Sequence, residues 1–242
     1  MPLKTSGTED HNRAALVTVA DTGLGRVIAG ELAAAGMTVY LGARSGESGL
    51  AVEREMNASG ADAVYVPFDL DADPTLRSTV EHIEHTGGRL DVLVNMLGMS
   101  APSVDADSGS GDGLRAAFDM GFPDAMQIMT AVQATLPLIR RSRQGRIVNV
   151  CSSFHAPTAA EDRIPTTAAE AATLHYATVL RAEGILVNAV YVDAETSGWG
   201  TGEPGSVWRV AADPVRLALL DAQGPTATST GVDGVSIGLL AV

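Results

Sequence analysis

The sequence predicts an α/β fold: a doubly wound, mostly parallel sheet of about seven strands with helices on both faces. Three observations predict it. Short apolar runs rich in Val, Ile and Leu alternate with longer amphipathic stretches, the rhythm of strand–helix–strand units. The first such run enters a glycine-bearing turn, Thr18-Val19-Ala20-Asp21-Thr22-Gly23-Leu24-Gly25, that leads straight into a helical stretch. The chain of 242 residues, 45% of them hydrophobic, is long enough to bury the core of one such sheet.

The elements follow in order. Residues 14–19 form the first strand and 23–35 its helix, which Gly36 ends. Strand 38–42 and helix 47–59 come next, with Gly60 as the stop. Strand 63–66, helix 74–85 and strand 90–95 continue the pattern. The second half predicts helix 124–141, strand 145–150, helix 166–183 stopped by Gly184, strand 185–191, helix 207–221 and a last strand at 234–239. These strands are short and almost wholly apolar, as strands buried on both faces must be. Two long loops interrupt the rhythm: 101–113, rich in Gly, Ser and Asp, and 196–206, with four glycines and Trp199. The rhythm resumes after each, so neither is a linker. Residues 1–13 are polar and read as a disordered tail, which leaves 14–242 as one domain.

Composition narrows the function. With 29 acidic and 16 basic residues the net charge is −13, so a nucleic-acid partner is not expected. The one cysteine, Cys151, allows neither an internal disulfide nor a Cys/His zinc cluster, and no metal site is expected. No apolar stretch reaches the roughly 18 residues of a membrane span. The N-terminus lacks the apolar core of a signal peptide, and a cytoplasmic location is expected.

A glycine turn between a first strand and its helix is where a dinucleotide pyrophosphate is held, by backbone N–H groups and the helix dipole. Thr18, Gly23 and Gly25 keep three positions of the pattern T-G-x-x-x-G-x-G. Further segments follow in register: V-Y-L-G-A-R-S (39–45), F-D-L (68–70), L-D-V-L-V-N-M-L-G (90–98), G-R-I-V-N-V-C-S-S (145–153) and G-I-L-V-N-A-V (184–190). Together they resemble the short-chain dehydrogenase/reductase family, over about residues 14 to 240. The resemblance implies a Rossmann-type sheet and an NADP(H) site made by Thr18, Gly23, Leu24, Gly25, Arg44, Asp69, Leu70, Asn95, Gly98 and Thr196. Arg44, just past the second strand, favours the 2′-phosphate of NADP. The resemblance also implies a homodimer or homotetramer, or a hetero-oligomer with an active relative, built on helices 124–141 and 166–183.

Departures from the family pattern are as informative. Val19 stands where the family has its first glycine, and a β-branched residue resists a tight turn. Asp21 brings a carboxylate toward the phosphates. Both weaken cofactor binding, so NADP(H) and no cofactor at all stay open as alternatives. Ser152 falls on the serine that polarises a substrate carbonyl. Where the family has tyrosine and, four residues later, lysine, this sequence places Thr166 and Glu170. No Lys occurs after Lys4 and no Tyr between Tyr65 and Tyr176, so a shifted register restores neither. Tyr176 lies roughly 15 Å down the helix and reads as packing. The asparagine of the preceding helix is replaced by Gly121 on local pattern or Asp124 on spacing, and the P-G after the sixth strand by Val192 and Asp193.

The pocket is expected at the carboxyl ends of the strands, lined by Ser152, His155, Glu161, Asp162 and the loop of Trp199. His155 offers acid–base chemistry beside Ser152, and Asp162 or Glu161 a general base. Cys151 reads as a packed thiol rather than a nucleophile. Three functions fit. The first is a non-standard enzyme of this fold (a cyclase, isomerase, dehydratase or atypical ketoreductase) acting on a small, secondary-metabolite-like substrate. The second is a redox-dead binding subunit. The third is an NADPH-dependent ketoreductase with another proton donor.

Overall fold

A strand in the middle of a parallel sheet meets helices on both faces, so every residue along it must tolerate burial. Ala14–Thr18 (β1), Val92–Met96 (β4) and Leu186–Val192 (β6) are buried at every position. The computed structural model describes residues 13–97, 113–152, 168–192, 206–230 and 236–238. The remaining strands are β2 (Thr38–Ala43), β3 (Asp62–Pro67), β5 (Arg146–Ser152), β7 (Thr228–Thr230) and β8 (Ser236–Gly238). The helices are α1 (Gly23–Ala34), α2 (Gly46–Ala58), α3 (Asp73–Thr86), α4 (Gly113–Ile139), α5 (Ala168–Leu180) and α6 (Ser206–Ala218). A short 3-10 turn, Arg181–Glu183, closes α5.

The sheet runs β3-β2-β1-β4-β5-β6-β7-β8. The first seven strands are parallel, and β8 pairs antiparallel with β7. This is the doubly wound, Rossmann-like arrangement the apolar rhythm predicts. One core lies between the sheet and α3, α4 and α5, and contains Leu16, Leu93, Ile147, Cys151 and Tyr176. The other lies against α1, α2 and α6, and contains Val17, Leu41, Val94, Val150 and Val190. Gly36, Gly60 and Gly184 take φ values of 84°, 89° and 74°, the left-handed stops expected of them.

Three expectations are corrected. The seventh parallel strand is Thr228–Thr230, a polar T-S-T with no apolar run to betray it. The stretch expected as the last strand, 234–239, holds the antiparallel β8 instead. Helix α4 begins at Gly113 rather than 124, and carries Pro123 and Pro137 inside it. Interior prolines remove a helical N–H and normally mark an end, which hid the first part of this helix. Arg13, placed in the tail by sequence, is fixed instead: its carbonyl accepts from Thr38 N–H at 2.9 Å and its guanidinium donates to Ala218 O at 3.3 Å.

The amino ends of the strands are closed by charge. Asp91 accepts from Ala14 N–H at 2.8 Å and Ser142 Oγ at 2.5 Å. Arg146 is fully buried, and donates to Leu220 O and Gly145 O at 3.0 and 2.7 Å. Burial and the neighbouring Arg13 cation hold its pKa below the usual arginine range.

Candidate active site at the carboxyl end of the sheet

Strand order reverses at β1, which has β2 on one side and β4 on the other. Helices leave in opposite directions there and a crevice opens, the ligand site of doubly wound sheets. Thr18, the last residue of β1, is buried, and its Oγ1 accepts from Met96 N–H at 2.8 Å. It therefore braces the tips of β1 and β4 from below. The turn that follows uses left-handed backbone twice, at Val19 (φ 52°) and Gly23 (φ 49°). Val19 thus holds a glycine conformation with a β-branched side chain. A Cβ on Gly25 would lie 2.2 Å from the Val19 carbonyl oxygen, so only glycine lets the helix approach the turn this closely. Thr22 caps α1 without a side-chain hydrogen bond, which leaves the first-turn N–H groups to an incoming acceptor. Leu24 buries its side chain beneath the turn and has only its backbone N–H to offer. The shape of a phosphate cradle is kept despite the missing glycine, and the residues present fit a dinucleotide pyrophosphate.

Next to the cradle, Arg44 stands exposed just past β2. It pairs with Asp69 at 3.3 Å and Asp71 at 3.4 Å. Asp69 also accepts from Asp71 N–H at 3.1 Å, which fixes the β3–α3 turn. Leu70 is half-buried against the core. Asp21 does not hang free in the turn: Ser48 Oγ in the first turn of α2 donates to its carboxylate at 2.5 Å. Neither Ser48 nor Asp71 was legible as a site residue, since a serine inside a helix turn and a second acid in D-L-D carry no pattern of their own.

The tips of β4 and β5 are joined by a buried polar chain. Asn95 Nδ2 donates to Asn149 Oδ1 at 2.9 Å, and Asn149 Nδ2 to Thr173 Oγ1 at 2.9 Å. Thr173 donates on to Ala169 O at 2.9 Å. Asn95 Oδ1 is buried with no partner among the described residues. The chain fixes α5 against β5, and its signal was weak because Asn149 and Thr173 sit inside apolar runs.

Above that chain lies Cys151, fully buried, with two buried carboxyls beside it: Asp124 from α4 and Glu170 from α5. Burial, then the charges of Asp124 and Glu170, push the thiol pKa well above its usual value. A thiol so held stays protonated, in line with a packing role. Tyr176 is likewise buried in the core. Burial raises its phenol pKa, partly opposed by a hydrogen bond with Gln133. Ser152 ends β5 opposite Val192 of β6, at the carboxyl edge of the sheet; its side chain lies outside the described residues. His155, Glu161, Asp162, Thr166, Gly98, Asp193, Thr196 and Trp199 also lie outside them.

Comparison with known proteins places this geometry. The chain is 31% identical over 138 residues to a 7alpha-hydroxysteroid dehydrogenase of Clostridium sardiniense, covering 57% of this chain and 52% of that protein. It is 31% identical over 149 residues to a 3-oxoacyl-[acyl-carrier-protein] reductase of rhamnolipid biosynthesis in Pseudomonas aeruginosa, covering 58% and 54%. The chain thus spans about half the length of the curated relatives it matches. The structure of Pseudomonas aeruginosa RhlG with NADP superposes at a TM-score of 0.72 and 24% identity, over 92% of this chain and 95% of that one, a likeness of fold. Residues 13–195, more than half of the sequence, match the short chain dehydrogenase family, and the chain belongs to that family.

Proposed function

We propose that this chain is an enzyme of the short-chain dehydrogenase fold with an altered redox site. It acts on a small organic substrate of secondary-metabolite type by cyclisation, isomerisation, dehydration or an atypical ketoreduction. One observation carries the reading. Among the described residues, Asp124 of α4 and Glu170 of α5 are buried carboxyls whose charges both act on Cys151 near the end of β5, and the sequence offers no lysine beyond Lys4. A carboxylate cannot lower a neighbouring hydroxyl's pKa as an ammonium does. Ser152 would donate a hydrogen bond to a substrate oxygen, with His155 and Asp162 as acid and base.

Thr18, Gly23, Leu24, Gly25, Arg44, Asp69, Leu70, Asn95, Gly98 and Thr196 would hold NADP(H). When bound, its nicotinamide supplies or accepts a hydride. The relatives named for dehydrogenation and ketoacyl reduction support the substrate class, oxygenated alicyclic or acyl compounds. Incubation with keto and hydroxy compounds of both kinds, with and without NADPH, tests the reading by product mass and nicotinamide absorbance. Conversion without net NADPH consumption is expected for cyclisation, isomerisation or dehydration, and one NADPH oxidised per product for an atypical ketoreduction. Stoichiometric NADPH oxidation that His155→Ala abolishes would instead support a ketoreductase with a substitute proton donor. No conversion of any candidate would overturn the enzymatic reading.

A second reading has its own observation. Phe122, Met126 and Met129 of α4 and Val179 of α5 are exposed apolar side chains. They suit a binding subunit that pairs with an active relative. Co-purification with a second dehydrogenase, and activity only in that complex, would favour it.

A further inference from the structure

We infer that Asp21, held by Ser48, sets the balance between NADP(H) and NAD(H), by cancelling the preference for a 2′-phosphate that Arg44 would otherwise create. The inference rests on the proposal that the cradle holds a dinucleotide.

In sequence Asp21 reads as a threat to the pyrophosphate; in the structure its carboxylate lies elsewhere. The turn after β1 sends it across to the first turn of α2, where Ser48 Oγ donates to it at 2.5 Å. Ser48 is itself tied to the cap of that helix, its N–H donating to Ser45 Oγ at 3.3 Å. The carboxylate is half-buried and fixed in the groove between the tips of β1 and β2. In doubly wound folds that groove takes the adenosine ribose: an acidic group there accepts from the 2′-hydroxyl, and an arginine takes a 2′-phosphate. This chain carries both. Arg44 is free enough to serve, because its pairs with Asp69 and Asp71 are long and solvent-exposed. Yet among the described residues the rim holds three carboxylates, Asp21, Asp69 and Asp71, to one guanidinium. Asp69 and Asp71 are engaged by Arg44. Among the described residues Asp21 is engaged by the neutral hydroxyl of Ser48 and by no cation. A phosphate would meet its charge in a partly desolvated groove, where like charges repel strongly. A 2′-hydroxyl would instead find an acceptor already in place.

The test is titration of the full chain with NADPH and NADH, read by nicotinamide fluorescence and checked by calorimetry. Wild type is expected to bind the two within about threefold of each other. Asp21→Asn keeps an acceptor for Ser48 and removes the charge; Asp21→Ser removes the reach as well. Circular dichroism and urea unfolding confirm that each variant is folded. Either folded variant should shift the affinity ratio toward NADPH by about fivefold or more, mainly through NADPH. A smaller shift in both, with dinucleotide still bound, overturns the role of Asp21 alone. If wild type and both variants bind neither dinucleotide, the cradle reading fails, and this inference with it.

Discussion

At φ 52° Val19 occupies a backbone region that costs an L-residue roughly 1–2 kcal/mol, and a β-branched side chain tightens the restriction. Replacing it by glycine removes that strain, offset in part by the greater freedom glycine gives the unfolded chain. Val19→Gly should therefore stabilise the protein by about 1 kcal/mol and raise its Tm by about 2–4 °C, measured by urea and thermal unfolding. The same change should tighten dinucleotide binding, because the turn would approach a phosphate without a side chain at its crest. Cys151 gives a residue-scale prediction of the opposite kind. Its folded pKa is raised by burial and by the Asp124 and Glu170 charges, so the folded state holds the proton more tightly than the unfolded state. The stability this contributes is complete below the ordinary thiol range and is lost as pH rises through and beyond it. Unfolding free energy should fall more steeply above about pH 9 in wild type than in Cys151→Ala, by up to about 1.4 kcal/mol per pH unit. Equal slopes in the two proteins would show that the thiol does not titrate differently on folding.

At the scale of elements, the chain from Asn95 through Asn149 to Thr173 joins β4, β5 and α5, and so positions Glu170 one turn earlier on the same helix. Thr173→Val keeps the volume and deletes the hydroxyl, which strands the Asn149 amide in the core. The expected cost is about 1–3 kcal/mol in urea unfolding, with non-additivity when Asn149→Ala is combined with it. The apolar strands were legible because a parallel sheet writes its burial as unbroken Val, Ile and Leu, as in β4 and β6. Thr228–Thr230 was not, since its place in the sheet comes from its neighbours rather than its own hydropathy. The start of α4 was hidden because Pro123 reads locally as punctuation, although the helix runs through it. The turn after β1 and the place of Arg44 past β2 were legible, from the T-x-x-x-x-G-x-G pattern and the V-Y-L-G-A-R run. Its contacts were not: that Asp21 reaches Ser48, or that Arg44 meets Asp71, depends on which turns the sheet brings side by side.

For the molecule as a whole, net charge and exposed apolar surface act against each other. A charge of −13 makes identical copies repel, with a reach set by salt. Against that, α4 shows Phe122, Met126 and Met129 at 52%, 44% and 38% exposure, spaced i, i+4 and i+7 so that they share one face. Arg140 of the segment after α4 holds Glu183 of the turn after α5 by two hydrogen bonds, at 2.7 and 2.9 Å, a tie between the ends of the two helices. Apolar groups gathered in this way mark an association surface more often than a solvated one. If copies meet there, the apolar stripe must supply the attraction and the charge must oppose it. Association should then tighten as salt rises, the reverse of what a surface held by ion pairs would do. Sedimentation velocity should show wild type as a dimer or larger, with the larger species gaining at high salt. Met126→Glu with Met129→Glu should give a monomer with an unchanged circular dichroism spectrum, since neither side chain is part of the core. A wild-type chain that sediments as a monomer at every salt concentration would leave the stripe without a second copy to cover it.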